Sequence, residues 1–560
     1  MPMDNDNPEQ WKATRLIDER TGNSCIGIDF PRRQHGRGFE VFDDDLGEQP
    51  GRIRSLLKRR GAVFAGTKAE QIRFIQRLLK AMPPTLLILA LKPGLRGSDG
   101  FVLGRRMLGT AIGKFRWRSP TTADQGEIGN RSGTHEDWNE IVGKIALKST
   151  FLTFGLCLPL ACPLPGYVLA HRQQRSLSET AVFNFSGDSG SGKTSIARAA
   201  AGVFGPPTLM RKWDFTRRGL EEYCESRNDL LAILDDMETH TEEEGSLKTA
   251  MRNVTQIISS GQSKLISTIA EIPSLTWMTF GLTTSPEPID AIAERLNWKR
   301  THGQCARFID IAVPKVEQAG IIDQLDGDAL EKLKTSKQLI QKLDDGVTQN
   351  FGLLMLRWLN FLFKDDLSSL ILTRRDWFLQ RIVGNGDGFD ERYAVKFAIP
   401  AIAGYLAAAH QIVPWPKMWP IEAAERCYYL AVKAVRQDAD VADKKLRRIA
   451  RLAGSPNHFI PVNSGATDVV VFGDQTLGVR TSYNGTKVLA IRDESLEMFA
   501  GSRKVYAILL GLLRTKHLLL GGHGHAGTTQ LPTHIQINGE TILKPRFWII
   551  DLERLTARDI

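Results

Sequence analysis

The stretch Gly187-Asp188-Ser189-Gly190-Ser191-Gly192-Lys193-Thr194 is the most informative part of this chain. It fits the pattern G-x-x-x-x-G-K-[ST], a loop whose backbone N–H groups surround the phosphates of a nucleotide. Residues 181–186 before it predict a short buried strand, and residues 194–201 after it predict a helix whose N-terminus faces the bound anion. A strand, a glycine-rich loop and a helix in this order predict a nucleotide-binding site.

The polar residues of this loop have distinct expected roles. Lys193 is expected to reach the β- and γ-phosphates, and the Thr194 hydroxyl is expected to ligate Mg²⁺. Ser195 follows directly, so the predicted nucleotide-binding set runs from Gly187 to Ser195. The expected cofactors are therefore ATP and Mg²⁺.

A second motif predicts that the bound nucleotide is also hydrolysed. Leu230 to Leu234 form a continuous apolar run, which is typical of a parallel strand buried on both faces. The run ends in Asp235, the expected metal ligand, and Asp236, the expected general base. Many ATPases carry Glu at the second position, so Glu238 is an alternative base. The competing interpretation is a buried strand followed by a solvated acidic turn.

A third strand is predicted over residues 274–282, followed by Thr283, Thr284 and Ser285. Polar residues at this strand end lie between the two motifs in many P-loop ATPases, where they orient water or contact the γ-phosphate. Thr284 is the candidate, with Thr283 as the alternative. An ordinary strand exit rich in Thr and Ser explains the pattern equally well.

The overall composition constrains the partners and the compartment. The chain has 73 Lys and Arg against 63 Asp and Glu, a net charge of +10, which suits a polyanionic partner. Its six cysteines lack C-x-x-C pairs, so they favour a reducing compartment over disulfides or zinc. The polar, acidic start of the sequence is no signal peptide. A cytoplasmic protein is expected.

One apolar stretch, residues 151–170, is about as long as a membrane span. It contains Pro159, Pro163 and Pro165, and it lies just before the strand that leads into the nucleotide-binding loop. A buried helix followed by a turn is the favoured interpretation, and no membrane association is expected.

The pattern along the chain predicts four domains. Residues 1–130 read as an N-terminal accessory domain, polar and loop-rich up to Pro50, and residues 131–345 as an α/β core with a parallel sheet. Residues 346–455 read as a helical domain. Residues 456–560, a helix followed by paired strands, are compatible with a winged helix.

Two stretches have the basic composition of segments that contact nucleic acid. Residues 114–118 alternate basic and aromatic side chains, a pattern that suits single strands but is favoured here as an exposed strand with one aromatic face. Residues 444–451 form a basic amphipathic helix, although such charge runs are usually solvated faces.

The segment between the acidic strand and the third strand is longer than a simple crossover. Residues 246–260 predict a helix. Residues 261–264 predict the start of a β-hairpin that runs outward over 265–269, turns over 270–273 and returns from Ser274. Hairpins at this place in ring helicases carry a basic residue at the tip that contacts nucleic acid in the pore. Lys264 is the candidate, and a bland surface lysine is the alternative.

Several segments together resemble the family called domain of unknown function 927, whose members look like ATPase or helicase modules of phage and mobile elements. The similarity covers more than half of the chain, and its main part runs from residue 131 to residue 312. The N-terminal region and the last hundred residues match loosely. The segments that carry it are 133–138, 156–165, the loop, 199–205, 234–236, 261–264, 277–284, 303–311, 392–407 and 421–427.

The resemblance implies a P-loop NTPase of the AAA+ or ring-helicase kind, related to minichromosome-maintenance-like helicases. It implies a homo-oligomeric ring, such as a hexamer, in which an arginine of one subunit reaches the γ-phosphate bound by the next. Arg307 is the first candidate for that arginine, with Arg295 and Arg392 behind it. A structural ion pair is the alternative role for Arg307.

The leading hypothesis is a DNA helicase or translocase of a mobile genetic element, driven by Mg²⁺ and ATP, with DNA as its partner. One alternative is a nucleotide-dependent switch or assembly factor acting on proteins, which Asp236 in place of Glu mildly favours. Another is an origin-binding initiator in which the winged helix is the main DNA contact.

Overall fold

The structure is a computed structural model. It describes residues 11–556 except 33–35, 119–126, 173–179, 240–243, 265–273, 299, 384–387, 464–468, 502, 521–527 and 538. The chain divides into two compact units. The first comprises Met1–Ile289 and His302–Tyr428, and the second comprises Asp290–Thr301 and Tyr429–Ile560.

The N-terminal part of the first unit is a sheet with two helices packed on it. The sheet has the order β3-β2-β1-β4-β8, in which β1, β4 and β8 are parallel and β2 and β3 are antiparallel additions. The same part contains a small antiparallel sheet with the order β5-β6-β7. The elements are β1 (Lys12–Asp18), β2 (Ser24–Pro31), β3 (Arg37–Asp43), α1 (Pro50–Arg59), α2 (Lys68–Lys80), β4 (Leu86–Ala90), β5 (Gly94–Arg96), β6 (Gly100–Leu103), β7 (Arg106–Gly109) and β8 (Phe115–Trp117).

The expectation of loops up to Pro50 was wrong, because three strands lie there. On β2 the apolar residues Ile26, Ile28 and Phe30 alternate with small or charged neighbours and are fully or almost fully buried. A strand with one buried face has about half polar residues, so its average polarity resembles that of a loop while its period of two marks it as a strand.

The core of the first unit is a parallel sheet with the order β10-β11-β12-β9-β13. The strand β12, which carries Thr283 and Thr284, therefore lies between β9, which leads into the glycine-rich loop, and β11, which ends in Asp235. This is the expected position. The elements are α3 (His135–Trp138), α4 (Lys144–Ala146), α5 (Thr150–Ala161), α6 (Pro163–Arg172), β9 (Val182–Ser186), α7 (Lys193–Gly202), β10 (Arg211–Lys212), α8 (Arg217–Glu225), β11 (Ala232–Asp235), α9 (Glu244–Ser260), β12 (Gly281–Ser285), α11 (His302–Cys305) and β13 (Phe308–Ala312). The helix α10 (Ile289–Arg295) follows β12 in the sequence and belongs, from Asp290 onward, to the second unit.

The apolar stretch before the loop strand is a core helix. All residues of α5 are buried, and no charge or polar face interrupts it. In the described residues, Thr150–Arg172 is the one helix with the length and composition of a membrane span, and its apolar window is 89% buried inside the protein. The expected buried helix is therefore confirmed, but the expected turn is the helix α6, which begins at Pro163. Proline is well tolerated at a first helical position, which explains the difference.

Helices cover the sheet and extend the first unit. The ring of Phe397 on α15 lies 5.3 Å from Phe154 on α5 and 5.1 Å from Phe183 on β9, measured between centroids. The helices are α12 (Ala329–Gln349), α13 (Leu354–Leu362), α14 (Ser368–Val383), α15 (Gly388–Ala409) and α16 (Trp419–Leu452), the last of which continues into the second unit.

Polar contacts hold the N-terminal part of the first unit to the amino edge of the core sheet. Arg20 pairs with Glu225 at 2.6 Å, and the N–H of Leu95 donates to Asp229 at 3.1 Å. Lys92 donates to the backbone and side chain of Thr276. Burial raises the pKa of Asp229 to about 6, so this carboxylate is charged at neutral pH and loses its charge as the pH falls through that value. The N-terminal part and the core sheet are thus joined through polar contacts, in which Glu225 and Asp229 are buried.

The second unit has two apolar clusters around a sheet with the order β14-β16-β17-β21-β18. The basic stretch 444–451 is helical, with Leu446 and Ile449 in one of these clusters. A winged helix for residues 456–560 stays a prediction. The elements are β14 (Phe459–Pro461), β15 (Val469–Val471), β16 (Gly478–Tyr483), β17 (Thr486–Arg492), α17 (Asp493–Ala500), α18 (Arg503–Thr515), β18 (Thr529–Gln530), β19 (His534–Ile537), β20 (Glu540–Ile542), β21 (Arg546–Asp551) and α19 (Leu552–Thr556).

The close approach of α5 to α7 gives a test of the fold. A Cβ atom at Gly155 would lie 2.3 Å from Cγ2 of Ile196, so Gly155→Ala must push α7 away from its place. Overpacking of this kind costs about 1–3 kcal/mol. We expect a lower urea midpoint, followed by circular dichroism. The control is Gly51→Ala, where the nearest atom would be Cδ1 of Ile72 at 3.6 Å, an ordinary contact. Equal midpoints for the two variants would contradict this packing.

Candidate functional site

The site lies at the carboxyl edge of the parallel core sheet. Ser285 of β12 pairs with Ser186 of β9, and Leu234 of β11 pairs with Thr283 of β12. Because the strands run in the same direction, the segments that leave β9, β10, β11 and β12 emerge at the same edge. Ligands of open α/β sheets bind outside this edge.

The loop between β9 and α7 has the backbone that its glycines predict. Gly187, Gly190 and Gly192 have φ angles of +150°, +80° and +96°. A Cβ atom at Gly192 would lie 2.7 Å from Ile321, so a larger residue is excluded there by space as well as by conformation. Gly192 is also the residue before α7, and no side chain caps this helix start. The first-turn N–H groups of α7 therefore have no side-chain acceptor, which suits an anion.

The ammonium of Lys193 is held by the loop itself. It donates to the carbonyl oxygens of Gly187 at 2.5 Å and Asp188 at 2.7 Å. Burial lowers the pKa of Lys193, while Asp188, Asp235, Glu238 and Asp236 act in the opposite direction. Lys193, the predicted phosphate-binding lysine, thus contacts the backbone of its own loop and lies near these four carboxylates.

Asp235 is the centre of the site. Its side chain has 0% exposure, and its Oδ1 accepts hydrogen bonds from Thr194 Oγ1 at 3.1 Å and Thr284 Oγ1 at 2.8 Å. Its Oδ2 lies 3.1 Å from the ammonium of Lys212. A buried carboxylate requires such partners, because a charge without them is costly in a low dielectric. The structure therefore brings together the predicted metal ligands, Thr194 and Asp235.

Asp236 lies beside this centre in a strained conformation. Its φ is +63°, and its N–H donates to Thr284 Oγ1 at 2.8 Å. Its side chain is 38% exposed and lies 3.2 Å from the Lys212 ammonium. Non-glycine residues in this region cost about 1–3 kcal/mol and cluster at functional sites. The alternative base, Glu238, follows in a short 3₁₀ helix and is exposed.

The two threonines of β12 point in different directions. Thr284 connects Asp235 and the backbone of Asp236, whereas Thr283 donates to Oδ1 of Asn184 at 2.7 Å inside the sheet. The structure thus favours Thr284 over Thr283 as the polar residue of the site. The strand is shorter than the predicted 274–282, since β12 begins at Gly281 and contains both threonines.

Sequence reasoning missed Lys212. It lies on β10, a strand of two residues, and reaches both Asp235 and Asp236 across the sheet. Burial acts to lower the pKa of Lys212, but its hydrogen bonds and charge interactions with the two carboxylates raise it overall. No sequence motif marks this lysine, because only the pairing of β10 with β11 brings it to the site.

A second polar cluster behind the loop was missed for the same reason. The carboxylate of Asp310 on β13 accepts from Asn184 Nδ2 at 2.6 Å and from Ser186 Oγ at 2.8 Å. Asn184 Nδ2 also donates to Ser285 Oγ at 2.7 Å. This cluster links three neighbouring strands just before the loop begins, so it holds the loop in register with β12.

Ser195 and Arg307, two further predicted residues of the first unit, are not among the side chains that contact Asp235. Ser195 is buried and its hydroxyl hydrogen-bonds Asp344 of α12. Arg307 is exposed and directly precedes β13, whose first residue pairs with Val182 at the start of β9. At about 3.3 Å per residue it lies roughly 16 Å from the carboxyl edge, too far to reach the loop of its own chain. Arg392 is exposed on α15 of the first unit, and Arg295 is exposed on α10 of the second unit.

The structure places Lys264 at the base of the predicted hairpin and not at its tip, where it was expected. The N–H of Trp277 donates to the carbonyl of Gly261, and the N–H of Ser263 donates to Leu275, both at 2.9 Å. Residues 261–263 and 275–277 thus pair as the base of an antiparallel hairpin. Lys264 follows this base with an exposed side chain, and residues 265–273, the predicted arm and turn, lie outside the described residues.

The arrangement fits a nucleotide with a divalent cation. The glycine-rich loop and the start of α7 supply N–H donors for phosphates, and Thr194 and Asp235 supply the oxygen ligands that Mg²⁺ prefers. The described residues contain no cluster of three or more His, Cys, Asp or Glu side chains that could hold a metal ion without further ligands. The fit rests on the donor set and on the uncapped start of α7.

The comparisons with known proteins agree with this architecture. The model of the family described as "Domain of unknown function (DUF927)" matches residues 15–270. Residues 15–270 are a DUF927 domain. The resemblance found in the sequence is thus confirmed, and the match includes most of the N-terminal region, which was expected to match loosely. The DUF927 match ends before the segments 277–284 and 303–311.

The DUF927 domain and the rest of the chain share their fold with a solved structure titled "SCCmec type IV Cch - active helicase". The two are 16% identical, the similarity covers 98% of this chain and 95% of that one, and the TM-score is 0.62. A structure of the NrS-1 C-terminal region is 12% identical over 74% of this chain and 91% of that one, but its TM-score of 0.23 is too low to indicate a shared fold. No curated protein matched the chain.

The Lys212 contacts give a test of the site that does not require turnover. Lys212→Met leaves the buried Asp235 carboxylate without its ammonium, and an under-satisfied buried acceptor costs about 1–3 kcal/mol. We expect a lower melting temperature in buffer without divalent cations, and a larger rise on adding Mg²⁺ and ADP than in the unmodified protein, because added cation replaces the lost charge.

The matched control for this test is Lys144→Met, which removes an exposed ammonium paired with Glu140 at 2.6 Å. Exposed pairs of this kind contribute about 0–1 kcal/mol, so its melting temperature should stay close to that of the unmodified protein. If Lys212→Met behaves like Lys144→Met with and without Mg²⁺ and ADP, Lys212 does not neutralise Asp235.

Proposed function

We propose that this protein is an ATPase that uses Mg²⁺ and ATP to move along or unwind DNA as a homo-oligomeric ring. The observation that carries the proposal is the contact of the Thr194 hydroxyl with the buried Asp235 carboxylate at the edge of the sheet. Two motifs 41 residues apart in sequence meet there within hydrogen-bond distance. Chance matches to either motif would not be expected to converge.

The residue roles follow from the positions of the side chains. Bound Mg²⁺ and ATP would supply the cation and the phosphoryl group for hydrolysis. Thr194 and Asp235 would hold the cation, and Lys193 would turn from the loop carbonyls to the phosphates. Asp236 is the proposed base, because it is partly exposed beside Asp235 and its backbone is fixed by Thr284. Thr284 is a positioning residue, because it donates to the Asp235 carboxylate and accepts from the backbone N–H of Asp236.

The proposal of a motor on DNA rests on three further features. The base of a hairpin lies where ring helicases carry a pore hairpin, with Lys264 at its margin. The fold is shared over almost the whole chain with a protein titled an active helicase of an SCCmec element, which supports a mobile-element origin. The charge balance of +10 suits a nucleic-acid partner.

The ring is supported by the place of Arg307. An exposed arginine about 16 Å from its own loop can complete a site only in another subunit, and the described residues offer it no ion-pair partner. We propose Arg307 as the residue that reaches the neighbouring nucleotide. The four-domain division with boundaries at 130, 345 and 455, including a C-terminal winged helix and the AAA+ type of core, belongs to the same proposal.

One specific observation favours a second candidate function, a nucleotide-dependent switch that acts on proteins. Asp236 is a short carboxylate in an ion pair with Lys212, and a base held in this way suits slow hydrolysis. The rate of ATP hydrolysis with and without single-stranded and duplex DNA separates the two. Strong stimulation by DNA supports the motor, and a slow rate that DNA leaves unchanged supports the switch.

Lys193→Ala tests the nucleotide site. The change removes the charge expected to pair with the β- and γ-phosphates, so we expect nucleotide binding to fall at least about tenfold and ATP hydrolysis to be lost. Binding is measured with a fluorescent ATP analogue and hydrolysis by phosphate release. Hydrolysis at the unmodified rate would refute the assignment of the loop.

Arg307→Ala tests the ring. We expect unchanged ATP binding and hydrolysis slowed about 10³-fold or more in the assembled protein, the loss typical of a missing arginine finger. Mixing Arg307→Ala with Lys193→Ala subunits should restore part of the activity, because the Lys193→Ala subunit still offers its Arg307 to a neighbour. Arg105→Ala, in the exposed turn between β6 and β7, is the control. No restoration on mixing would exclude action between subunits.

A further inference from the structure

The positive charge of this chain is concentrated in one short segment. Residues 50–81, which comprise α1, α2 and their connection, contain nine basic residues and one acidic residue, Glu70, a net charge of +8. The other residues contain the remaining 64 of 73 basic and 62 of 63 acidic residues, which leaves +2. The basic residues of the segment are Arg52, Arg54, Lys58, Arg59, Arg60, Lys68, Arg73, Arg77 and Lys80.

The packing of the two helices turns most of these charges outward. Ile53 and Leu57 of α1 and Ile75 of α2 are fully buried in the apolar cluster under the helices, which also contains residues of β1, β2 and β3. The side of α1 away from this cluster exposes Arg52, Lys58 and Arg59. On α2 the exposed basic residues are Lys68, Arg73, Arg77 and Lys80. We call this outward face of α1 and α2 the basic layer.

The two helices are fixed side by side, so the basic layer is one surface. The guanidinium of Arg54 on α1 donates through Nε and Nη2 to Oε1 of Gln71 on α2, at 2.8 and 2.5 Å. At about 1.5 Å per residue, the thirteen residues of α2 extend this surface over roughly 20 Å. A surface of this length can contact several consecutive phosphates of a polynucleotide.

Little of this charge is neutralised by the protein itself. Glu70 is engaged in the capping box of α2, where its Oε2 accepts from the Thr67 N–H at 2.7 Å. Those hydrogen bonds lower the pKa of Glu70 and hold it at the helix start. Arg60 is paired with Glu40 at 3.4 Å. For Arg52, Lys58 and Arg59, the described residues provide no ion-pair partner.

A groove beside α2 adds aromatic surface to the charge. It has a volume of about 780 Å³, and Phe64, Phe74, Arg77 and Lys12 are among its lining residues. Phe64 and Phe74 are half-buried, so part of each ring faces the groove. Aromatic rings next to a positively charged face are the combination that binds single strands, because bases stack on the rings and phosphates contact the cations.

The aromatic and basic stretch 114–118 does not provide such a surface. Arg116 is paired with the Asp29 carboxylate and lies over the ring of Phe39, with 4.7 Å between its guanidinium carbon and the ring centroid. Trp117 is buried in an apolar cluster and Phe115 packs against that cluster. The alternating pattern is therefore a strand, as favoured from the sequence, but its aromatic face is packed against the protein and is not exposed as expected.

We propose that the basic layer and the adjacent groove form a binding surface for single-stranded nucleic acid in the N-terminal region. It is separate from the hairpin base and from the nucleotide site, and it does not depend on ATP hydrolysis. Charge complementarity selects a polyanion, and the half-buried aromatic rings select unpaired bases over a duplex. The surface would hold the strand through its backbone, without preference for sequence.

The test uses the full chain and measures binding without nucleotide. A fluorescein-labelled oligothymidine of about 20 nucleotides, the length range of one or two single-strand sites, is titrated with protein at several salt concentrations. The variant carries Arg52→Gln, Lys58→Gln, Arg59→Gln and Arg73→Gln. The control carries Lys332→Gln, Lys334→Gln, Lys337→Gln and Lys342→Gln on α12, where these four lysines are interspersed with Glu331, Asp344 and Asp345.

The salt dependence distinguishes phosphate contacts from a general loss of charge. The logarithm of the binding constant falls linearly with the logarithm of the salt concentration. Each phosphate contact that is lost makes this slope less steep by about 0.7 on a single strand, so four lost contacts make it less steep by about 3. We expect the variant to approach that change and to bind at least about tenfold more weakly at low salt. The control removes the same charge and should keep its slope. Circular dichroism and the melting temperature of both proteins should match those of the unmodified chain.

Three results would overturn the proposal. The first is a variant that binds oligothymidine with the slope and affinity of the control. The second is tighter binding to a duplex of the same length than to oligothymidine. The third is a binding loss seen with anionic vesicles or acidic proteins but absent with oligothymidine. Repeating the titration in a Lys193→Ala background keeps the result independent of the proposed ATPase, since the basic layer should bind the strand there as well.

Discussion

The carboxylate of Asp235 has to be neutralised where it is buried, and this requirement fixes the geometry of the site. Its three polar contacts come from three different elements: Thr194 on α7, Thr284 on β12 and Lys212 on β10. Removing such a charge from water costs several kcal/mol unless partners replace the lost solvation. The helix after the loop and both strands that flank β11 are therefore tied to one point. If the loop and β11 moved apart, the Asp235 carboxylate would either become exposed to solvent or remain buried without its partners.

Much of this site could be predicted because its signals are local. The loop needs glycines at fixed spacing, and the φ angles of Gly187, Gly190 and Gly192 show why. Asp235 follows an apolar run, and that run by itself indicates that the aspartate lies at a strand end. The position of β12 between β9 and β11 was also expected and is confirmed by the sheet order. Each of these inferences needed only a motif and the direction of a strand.

The parts that were missed depend on pairing across the sheet. Lys212 precedes Asp235 by 23 residues and lies on a strand too short to show a period. Asp310 meets Asn184 only because β13 pairs with β9 in one register. The strands before residue 50 were missed because half of their residues are polar. Lys264 was expected at the tip of the hairpin but lies at its base, because the pairing of residues 261–263 with 275–277 ends directly before it. Backbone pairing of this kind leaves no composition signal.

The contacts that hold the N-terminal region to the core sheet lie at one end of β11, and the proposed nucleotide site lies at its other end. The segment that ends in Asp229 leads directly into β11, whose other end is Asp235, and Asp229 N–H donates to Met278 beside the hairpin base. One short strand thus separates the buried charge at the nucleotide edge from the junction of hairpin base and N-terminal region. A shift of β11 along its axis cannot stay local, because Asp235 and Asp229 are both buried and both held by several partners. Close-packed elements of this kind move as a unit rather than bend. The nucleotide edge at Asp235 and the junction next to Lys264 and Lys92 are thus held at the two ends of one buried strand.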